Sequence, residues 1–376
     1  MNNKRIDEHT GRTIRQLTNE PHGARLDYFR LPRFLPNGQV MAFDVGDDRS
    51  ILFVDPETGH VDRRRLPIVR RLKLRESDGR LWYVGEPDRT IWMVDLPSGE
   101  PQLIAEVPED VPGHFIDITC DGRTLILGQT KEDVPNNPKM HLGTDAEALW
   151  AYLERPRSAW LWSYDLQTGR LLTLDESHEY GFGHHDTSPT DPVLVKYSLD
   201  AHDALYQRIW LARVDGSEVR KIRPQEKYEF VTHEFWWPDG KYIGYTYQDR
   251  RNDSTLRRIP WAEYAPVPTH FGVARLDGEE CYLSDPLNHY HSHLFISRDS
   301  KWAIGDGTDG HSFVYIAPFS FDNTKVDFVP LATIHTPYVP FAGQAVDACV
   351  TPDSRWVLYN DTVDGKKQVC AVALDL

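Results

Sequence analysis

Residues 237–247 read WPDGKYIGYTY, a polar turn followed at once by a run of aromatic and β-branched residues. Runs of this composition, bounded by Pro, Asp and Gly, are typical of β-strands entered through tight turns. The same combination of turn and strand occurs seven times along the chain. The seven turns are LPNG (35–38), ESDG (76–79), TCDG (119–122), SPTD (188–191), WPDG (237–240), SRDS (297–300) and TPDS (351–354).

The spacing of these turns predicts the architecture. Consecutive turns begin 41 to 69 residues apart, and the shorter spacings match a four-stranded propeller blade. A parallel α/β fold would need crossover helices, which the sequence lacks. We therefore predict an all-β fold, a seven-bladed β-propeller that forms a single domain over residues 1–376. The early strand GRTIRQLT (11–18) is expected to pair with the last blade, because this closure removes two exposed strand edges.

One long insertion interrupts the repeat at residues 131–157, KEDVPNNPKMHLGTDAEALWAYLERPR. Its stretch TDAEALWAYLERP starts with residues suited to capping a helix and ends at proline, so we predict a short helix there. Insertions of this kind lie on one face of a propeller. Two interpretations stay open, a lid over a pocket and a plain surface loop.

Composition excludes several classes of function. The formal net charge is −15, which disfavours nucleic acid as a partner because phosphate binding requires a basic face. The N-terminal stretch MNNKRIDEHTGRT lacks the apolar region of a secretion signal, and no apolar run reaches membrane-spanning length. The four cysteines lie far apart, which argues against disulfides and thiolate zinc sites. We expect a cytoplasmic protein with no membrane partner, and its oligomeric state stays open.

Several of the sixteen histidines lie beside blade turns in the second half of the chain. His184, His233 and His293 precede the turns of successive blades at similar positions, so we expect them on the innermost strands, converging on one axial pocket. One such histidine would more often be structural, but three in register favour a functional site. The absence of HExxH, GxSxG and phosphate-loop motifs makes metalloprotease, nucleophilic hydrolase and nucleotide chemistry unlikely candidates.

Three stretches carry a resemblance to a known family: GHHDTSPTD (183–191), HDALYQRIWLARVDGSEVRKIRPQEKYEFVTHEFWWPDG (202–240) and SHLFISRDSKWAIGDGTDG (292–310). They closely resemble the oligogalacturonate lyases of polysaccharide lyase family 22. The likeness is strong over about residues 181–310 and weaker from the first blade to the last. It implies a seven-bladed propeller that degrades pectin fragments by β-elimination on short uronate oligosaccharides.

The resemblance also implies roles for individual residues. The histidine of THEFW, His233, matches the proposed base, and Arg208 of QRIWL matches the arginine that stabilises the charged intermediate. His293 of the SHL motif matches a ligand of a divalent cation, typically manganese. The family has a glutamine and two histidines before the last turn, whereas this chain reads GQAVDACVTPD (343–353). The expected metal ligands are therefore His293, Gln344 and Asp347, and this departure leaves open another uronate-containing glycan as substrate.

The chemistry of β-elimination independently requires a combination of side chains of this kind. Removing the proton beside a uronate carboxylate develops negative charge, so the site needs a base together with a cation. Other side chains near these motifs are expected to take part, either in proton transfer or in sugar binding. They are His202 as a further catalytic residue, and His184, His185, Tyr197, Trp236 and Tyr290 as substrate contacts. A propeller that binds a ligand or a protein without catalysis is the alternative from another class.

Overall fold

The computed structural model describes residues 3–47, 49–132, 157–200, 207–251, 267–289, 291–307, 313–336 and 346–375. Within these ranges every regular element is a β-strand. No helix in the described part of the chain is long and apolar enough to cross a membrane. The helix predicted at TDAEALWAYLERP (144–156) lies outside the described residues.

The described residues form 29 strands in seven antiparallel sheets. Sheet one has β3 (Ala24–Leu26), β4 (Val40–Asp44), β5 (Ser50–Val54) and β6 (Val61–Arg65). Sheet two has β7 (Ile68–Arg75), β8 (Arg80–Gly85), β9 (Thr90–Asp95) and β10 (Gln102–Glu106). Sheet three has β11 (His114–Ile118), β12 (Thr124–Glu132), β13 (Arg157–Asp165) and β14 (Leu171–Ser177). Sheet four has β15 (Gly181–Thr187), β16 (Leu194–Asp200), β17 (Ile209–Arg213) and β18 (Val219–Lys221).

The remaining three sheets follow in chain order. Sheet five has β19 (Glu229–Trp236), β20 (Tyr242–Asp249), β21 (Thr269–Arg275) and β22 (Glu280–Leu283). Sheet six has β23 (His291–Ile296), β24 (Trp302–Gly307), β25 (Phe313–Pro318) and β26 (Val329–Thr333). Sheet seven joins β27 (Cys349–Val350), β28 (Trp356–Val363) and β29 (Lys366–Ala373) to β2 (Thr13–Gln16) and β1 (Asn3–Ile6). These successive sheets confirm the predicted seven-bladed β-propeller.

Contacts within the chain divide it into two compact units. One unit comprises Met1–Ile104 with Leu287–Leu376, and the other comprises Ala105–Pro286. Sheets three, four and five belong to the second unit. Its core lies between neighbouring sheets, where Leu211 of β17 belongs to one buried apolar cluster with Ile243 and Tyr245 of β20.

The seven sequence turns separate the first strand of each sheet from the second. In six of them the fourth residue has a positive φ, as at Gly240 in WPDG (73°) and Ser354 in TPDS (55°). Glycine adopts this conformation without a steric penalty, which explains why it ends four of the seven turns. The strand that follows each turn is the second of its sheet, so the strand preceding the turn is the first.

Closure of the last sheet uses the N-terminal strand, as predicted. Strand β2 pairs with β29 through Ile14 with Val372, Arg15 with Ala371 and Gln16 with Cys370. Ile14 is buried in the apolar cluster of this sheet. The chain termini therefore share one sheet.

Ile14→Ala should lower the free energy of unfolding by about 2–5 kcal/mol, because it removes a buried side chain from the closing strand and leaves a cavity. Ile6→Ala is the matched control, since Ile6 on β1 is 63% exposed, and it should change stability by less than about 0.5 kcal/mol. Urea unfolding of both variants checks this expectation. Equal effects would show that the N-terminal strand does not stabilise the sheet.

Candidate active site

Four side chains occupy the same place in successive blades, four residues before the first residue of the blade turn. They are His184, His233, His293 and Asp347. The three histidines lie on β15, β19 and β23, the first strands of their sheets, as predicted. His184 and His233 belong to the unit Ala105–Pro286, and the other two belong to the unit of Met1–Ile104 with Leu287–Leu376.

Both histidines of the unit Ala105–Pro286 lie on β-bulges. The pairing of β15 with β16 shifts between Gly183 and Asp186, and the pairing of β19 with β20 shifts between Thr232 and Phe235. The backbone φ is 44° at His184 and 51° at His233. Such values are sterically unfavourable for residues other than glycine and cost about 1–3 kcal/mol each. Bulges redirect side chains, so the local fold turns both imidazoles away from the regular alternation of the strand.

A buried charge cluster joins these two bulges, and we call it the Glu234 cluster. Its members are Asp186, Lys196, Arg208, Glu234 and the imidazole of His184. The side chain of Glu234 is fully buried, and its Oε2 lies 3.1 Å from Arg208 Nε while its Oε1 lies 2.8 Å from His184 Nδ1. The Lys196 ammonium lies 3.0 Å from Asp186 Oδ2 and 3.8 Å from Glu234 Oε1. Two carboxylates thus face one guanidinium group and one ammonium group.

Glu234 is ionised in this cluster. Burial by itself would raise its pKa, but the charges of Arg208, His184 and Lys196 and a hydrogen bond from His184 outweigh burial, and the pKa lies well below the usual range. An ionised carboxylate without such partners would be strongly unfavourable at a fully buried position. The cations therefore account for its presence there.

The contact with Glu234 also fixes the tautomer of His184. A carboxylate only accepts hydrogen bonds, so Nδ1 of His184 carries the hydrogen and donates it to Glu234 Oε1. Nη2 of Arg208 lies 3.3 Å from the same nitrogen, and this approach is a contact because a protonated Nδ1 cannot accept. Nε2 is therefore the nitrogen of His184 that can exchange a proton with a ligand. The His184 side chain is 26% exposed. A carboxylate behind an imidazole orients many catalytic histidines in the same way.

Arg208 is held rigidly. Its Nη1 donates to Leu199 O at 3.2 Å, and its backbone N–H donates to Gln225 Oε1 at 3.0 Å. With Nε on Glu234, the guanidinium is fixed in position before any ligand arrives. The Arg208 side chain is 8% exposed, and a guanidinium fixed in this way is suited to neutralising a carboxylate.

His233 lies beside Glu234 on β19, and its side chain is partly exposed. The aromatic residues that follow it are packed in the core, where Phe235 stacks on Trp237 with ring centroids 6.1 Å apart. Trp236 is 8% exposed, and its Nε1 donates to Asp186 O at 2.9 Å. The expectation that Trp236 stacks on a sugar is not supported, because its indole ring fills the core and its N–H is used between strands.

Tyr197 is likewise a core residue. It is fully buried, its hydroxyl donates to Asp175 Oδ2 at 2.5 Å, and its ring meets the Phe182 ring edge-on. Burial, together with the Asp175 charge, raises the pKa of the phenol far above its usual value. A substrate contact or an acid role for Tyr197 is therefore not supported.

The other predicted contacts lie in different surroundings. His185 is partly exposed. Its Nε2 lies close to Gly128 on β12 of the neighbouring sheet, 3.7 Å from the position that a Cβ atom would take at this glycine. His202, Tyr290 and Gln344 lie outside the described residues.

Three members of the Glu234 cluster were absent from the sequence-based candidates, namely Asp186, Lys196 and Glu234. A signal for two of them does exist. Lys196 interrupts the apolar strand PVLVKYS, and Glu234 stands directly before three aromatic residues. A charged residue inside a strand that reads as buried is rare unless it has a partner.

In the other unit, His293 and Asp347 lie beneath the loop that follows β3. His293 Nδ1 donates to Asp306 Oδ2 at 2.9 Å, and the Phe29 ring stacks on the imidazole at 4.5 Å. Asp347 accepts hydrogen bonds from Phe29 N at 3.0 Å and from Asn360 Nδ2 at 3.1 Å. Burial raises the pKa of Asp347 to about 6.

These residues fit a metal ion only in part. The contact of His293 Nδ1 with a carboxylate is the arrangement that orients metal-binding histidines. However, no three His, Cys, Asp or Glu side chains among the described residues are grouped to hold a metal ion, and a mononuclear site draws on three or more donors. Burial raises the pKa of the Cys349 thiol to about 11, so this sulfur stays protonated. The described donors do not complete a metal site.

Comparison with known proteins places these features in a family. The sequence model described as oligogalacturonate lyase matches residues 72–375. An oligogalacturonide lyase of Pectobacterium atrosepticum is 26% identical over 315 residues, which cover 78% of this chain and 74% of that protein. An oligogalacturonate lyase of Dickeya dadantii is 26% identical over 308 residues, with the same coverage.

Solved structures agree in fold. An oligogalacturonate lyase in complex with manganese superimposes with a TM-score of 0.74 at 22% identity, covering 100% of this chain and 96% of that one. An oligogalacturonate lyase from Vibrio parahaemolyticus gives a TM-score of 0.73 at 21% identity, covering 99% and 96%. At these identities the likeness establishes a shared fold.

Glu234→Gln should lower the free energy of unfolding by about 3 kcal/mol at neutral pH, because it leaves two buried cations with one carboxylate. The folded pKa of Glu234 lies below its ordinary value of 4.5. Ionised Glu234 therefore stabilises the fold above pH 4.5, and this stabilisation is lost as the pH falls through the folded pKa. The stability difference between native protein and variant should shrink over that range.

Urea unfolding in steps from neutral pH downward measures this difference. Glu218→Gln is the control, because Glu218 pairs with Arg220 on the surface and should contribute less than about 1 kcal/mol. A pH-independent difference, or equal effects of the two variants, would contradict the charge assignment of the cluster.

Proposed function

The chain belongs to the oligogalacturonate lyase family, and we propose that it cleaves short oligogalacturonides by β-elimination. The observation that carries the proposal is the Glu234 cluster, which fixes Arg208, directly before β17, and His184 on β15 next to the bulge of His233. The family match over residues 72–375 supports the substrate class. The curated relatives support it as well, since both are named as lyases of galacturonate oligomers.

His233 is the base in this proposal. It takes the proton from the ring carbon that bears the uronate carboxylate. The electron pair left by that proton forms the double bond to the neighbouring carbon, whose bond to the glycosidic oxygen breaks. The products are an unsaturated uronate and a shortened oligosaccharide, and no water is consumed. Histidine suits this step because its pKa lies close to neutral pH.

Arg208 neutralises the charge that develops on the carboxylate. Its position is set beforehand by Glu234 and Leu199 O, so no reorganisation is needed as the charge grows. One preorganised donor of this kind is worth about 100-fold in rate, or roughly 3 kcal/mol. The guanidinium fork also gives the carboxylate a preferred orientation.

The departing glycosidic oxygen requires a proton. Among the described candidates, the contacts favour His184, whose Nδ1 is tied to Glu234 Oε1 at 2.8 Å. A carboxylate in this position stabilises the imidazolium form that donates a proton from Nε2. His202 remains a second proposed participant in proton transfer.

Manganese is a separate part of the proposal. It is supported by the fold neighbour that was solved with manganese and by the orientation of His293 toward Asp306. When bound, a divalent cation would supply the Lewis-acid charge that suits an acidic sugar. None of the proton transfers above depends on it.

His233→Gln should reduce kcat on trigalacturonate by at least about 100-fold, because it removes the base while keeping a polar side chain of similar size. The rise in ultraviolet absorbance of the unsaturated product measures turnover. His60→Gln is the control, since the side chain of His60 is 66% exposed and pairs with Asp62 in a surface hairpin. A His233 variant with native kcat would exclude this residue as the base.

His293→Ala should abolish retention of a divalent metal, and it should also lower the thermal unfolding midpoint because it removes the stack on Phe29 and the hydrogen bond to Asp306. Elemental analysis of the purified native protein and the variant, after dialysis against a weak chelator, measures bound manganese directly. The proposal expects bound metal in the native protein alone. Native protein that is free of metal yet turns over trigalacturonate would contradict the proposed manganese site and would leave the assignment of His233 untouched.

A further inference from the structure

We propose that Lys196 is a positioning residue for the elimination, a clamp that holds both histidine-bearing bulges in their strained conformations. This inference rests on the proposed function, in which His184 and His233 transfer protons. Lys196 lies on β16, and its side chain is fully buried. It is too enclosed to contact a sugar, so any effect it has on the reaction must pass through its neighbours.

The contacts of the ammonium group carry the inference. Nζ of Lys196 donates to the backbone oxygen of His184 at 3.0 Å and lies 3.4 Å from the backbone oxygen of Glu234. The first oxygen belongs to the bulge of β15, and the second belongs to the bulge of β19. One side chain therefore reaches the main chain of both bulges, on two neighbouring sheets.

The two acidic members of the cluster complete the coordination of the ammonium. Asp186 is the cross-strand partner of Lys196 in the β15–β16 pairing, and its Oδ2 lies 3.0 Å from Nζ. Asp186 O in turn accepts the indole N–H of Trp236 at 2.9 Å. The bulges of the two sheets are thus joined twice, once through Lys196 and once through Trp236.

Packing alone does not require a lysine here. Val195 and Tyr197, the neighbours of Lys196 on β16, are fully buried in an apolar cluster, and an apolar side chain would fill the site without the desolvation cost of an ammonium. That cost is several kcal/mol even in a relaxed protein. The ammonium offsets the charges of Asp186 and Glu234, and unlike an apolar side chain it also reaches the main chain of both bulges.

The main chain that the Lys196 ammonium group contacts is strained. Residues with φ near those of His184 (44°) and His233 (51°) persist only when their surroundings fix them. Without the clamp, the bulges are free to relax toward regular pairing, which would turn both imidazoles. A displacement of about 1 Å at a reacting group costs about 100-fold in rate. The clamp therefore influences kcat more than substrate binding.

The test removes the clamp without leaving an unpaired buried charge. The double variant Lys196→Met with Asp186→Asn eliminates one cation and one anion together and preserves the charge balance of the cluster. The matched control is Lys241→Met with Asp239→Asn, an exposed pair on the adjacent sheet whose side chains are 74% and 45% exposed.

Two measurements are made on the native protein and on both double variants. They are the kinetics with trigalacturonate and backbone hydrogen exchange. The inference expects the Lys196 double variant to lose about 100-fold in kcat with little change in KM, and to exchange amide hydrogens faster around residues 183–186 and 232–235. The control pair should match the native protein in both. Native kcat together with native exchange at the two bulges in the Lys196 double variant would overturn the inference.

Failure of this inference is distinguishable from failure of the proposed function. If native protein turns over no uronide, the proposed function fails, and hydrogen exchange still decides whether Lys196 holds the bulges. If the double variant does not fold, Lys196→Gln takes its place, because this side chain keeps N–H donors but has a shorter reach. The same loss of kcat and faster exchange at the bulges support the clamp, and native values for both overturn it.

Discussion

The structure of the candidate site depends on one buried carboxylate, that of Glu234. Its side chain is fully enclosed, and its two oxygens engage Arg208 and His184. Removing this charge would leave the cations of neighbouring strands with too little compensation, while removing the cations would leave the carboxylate buried without partners. The buried carboxylate and its cationic partners therefore stabilise the fold only when all of them are present. Together they fix the Arg208 guanidinium and the His184 imidazole relative to β19.

The bulges explain how a repetitive scaffold presents the side chains of His184 and His233 outside the regular alternation of a strand. A regular strand alternates its side chains, so adjacent His233 and Glu234 would face opposite sides of the sheet. The register shift between Thr232 and Phe235 breaks that alternation. Sheet four has the same irregularity at His184. Regular pairing elsewhere in these sheets provides the rigid frame against which the strained residues are held.

The sequence predicts the frame better than the site. Seven turns of one type, each followed by an apolar strand, are local signals, and the sheets appear where they predict. The spacing of His184 and His233 before those turns also places them on first strands. Lys196 could not be assigned in this way, because its contact with Glu234 O spans 38 residues of sequence. The burial of Trp236 and Tyr197 could not be predicted in this way either, because it depends on which face of a strand the next sheet covers.

The most direct measurement is a crystal structure of the His233→Gln variant with trigalacturonate bound. The account predicts a uronate carboxylate within hydrogen-bonding distance of the Arg208 guanidinium, with the proton-bearing carbon of that sugar facing residue 233 and the departing oxygen toward His184. A sugar bound away from Arg208, or one whose proton-bearing carbon faces away from residue 233, would contradict it.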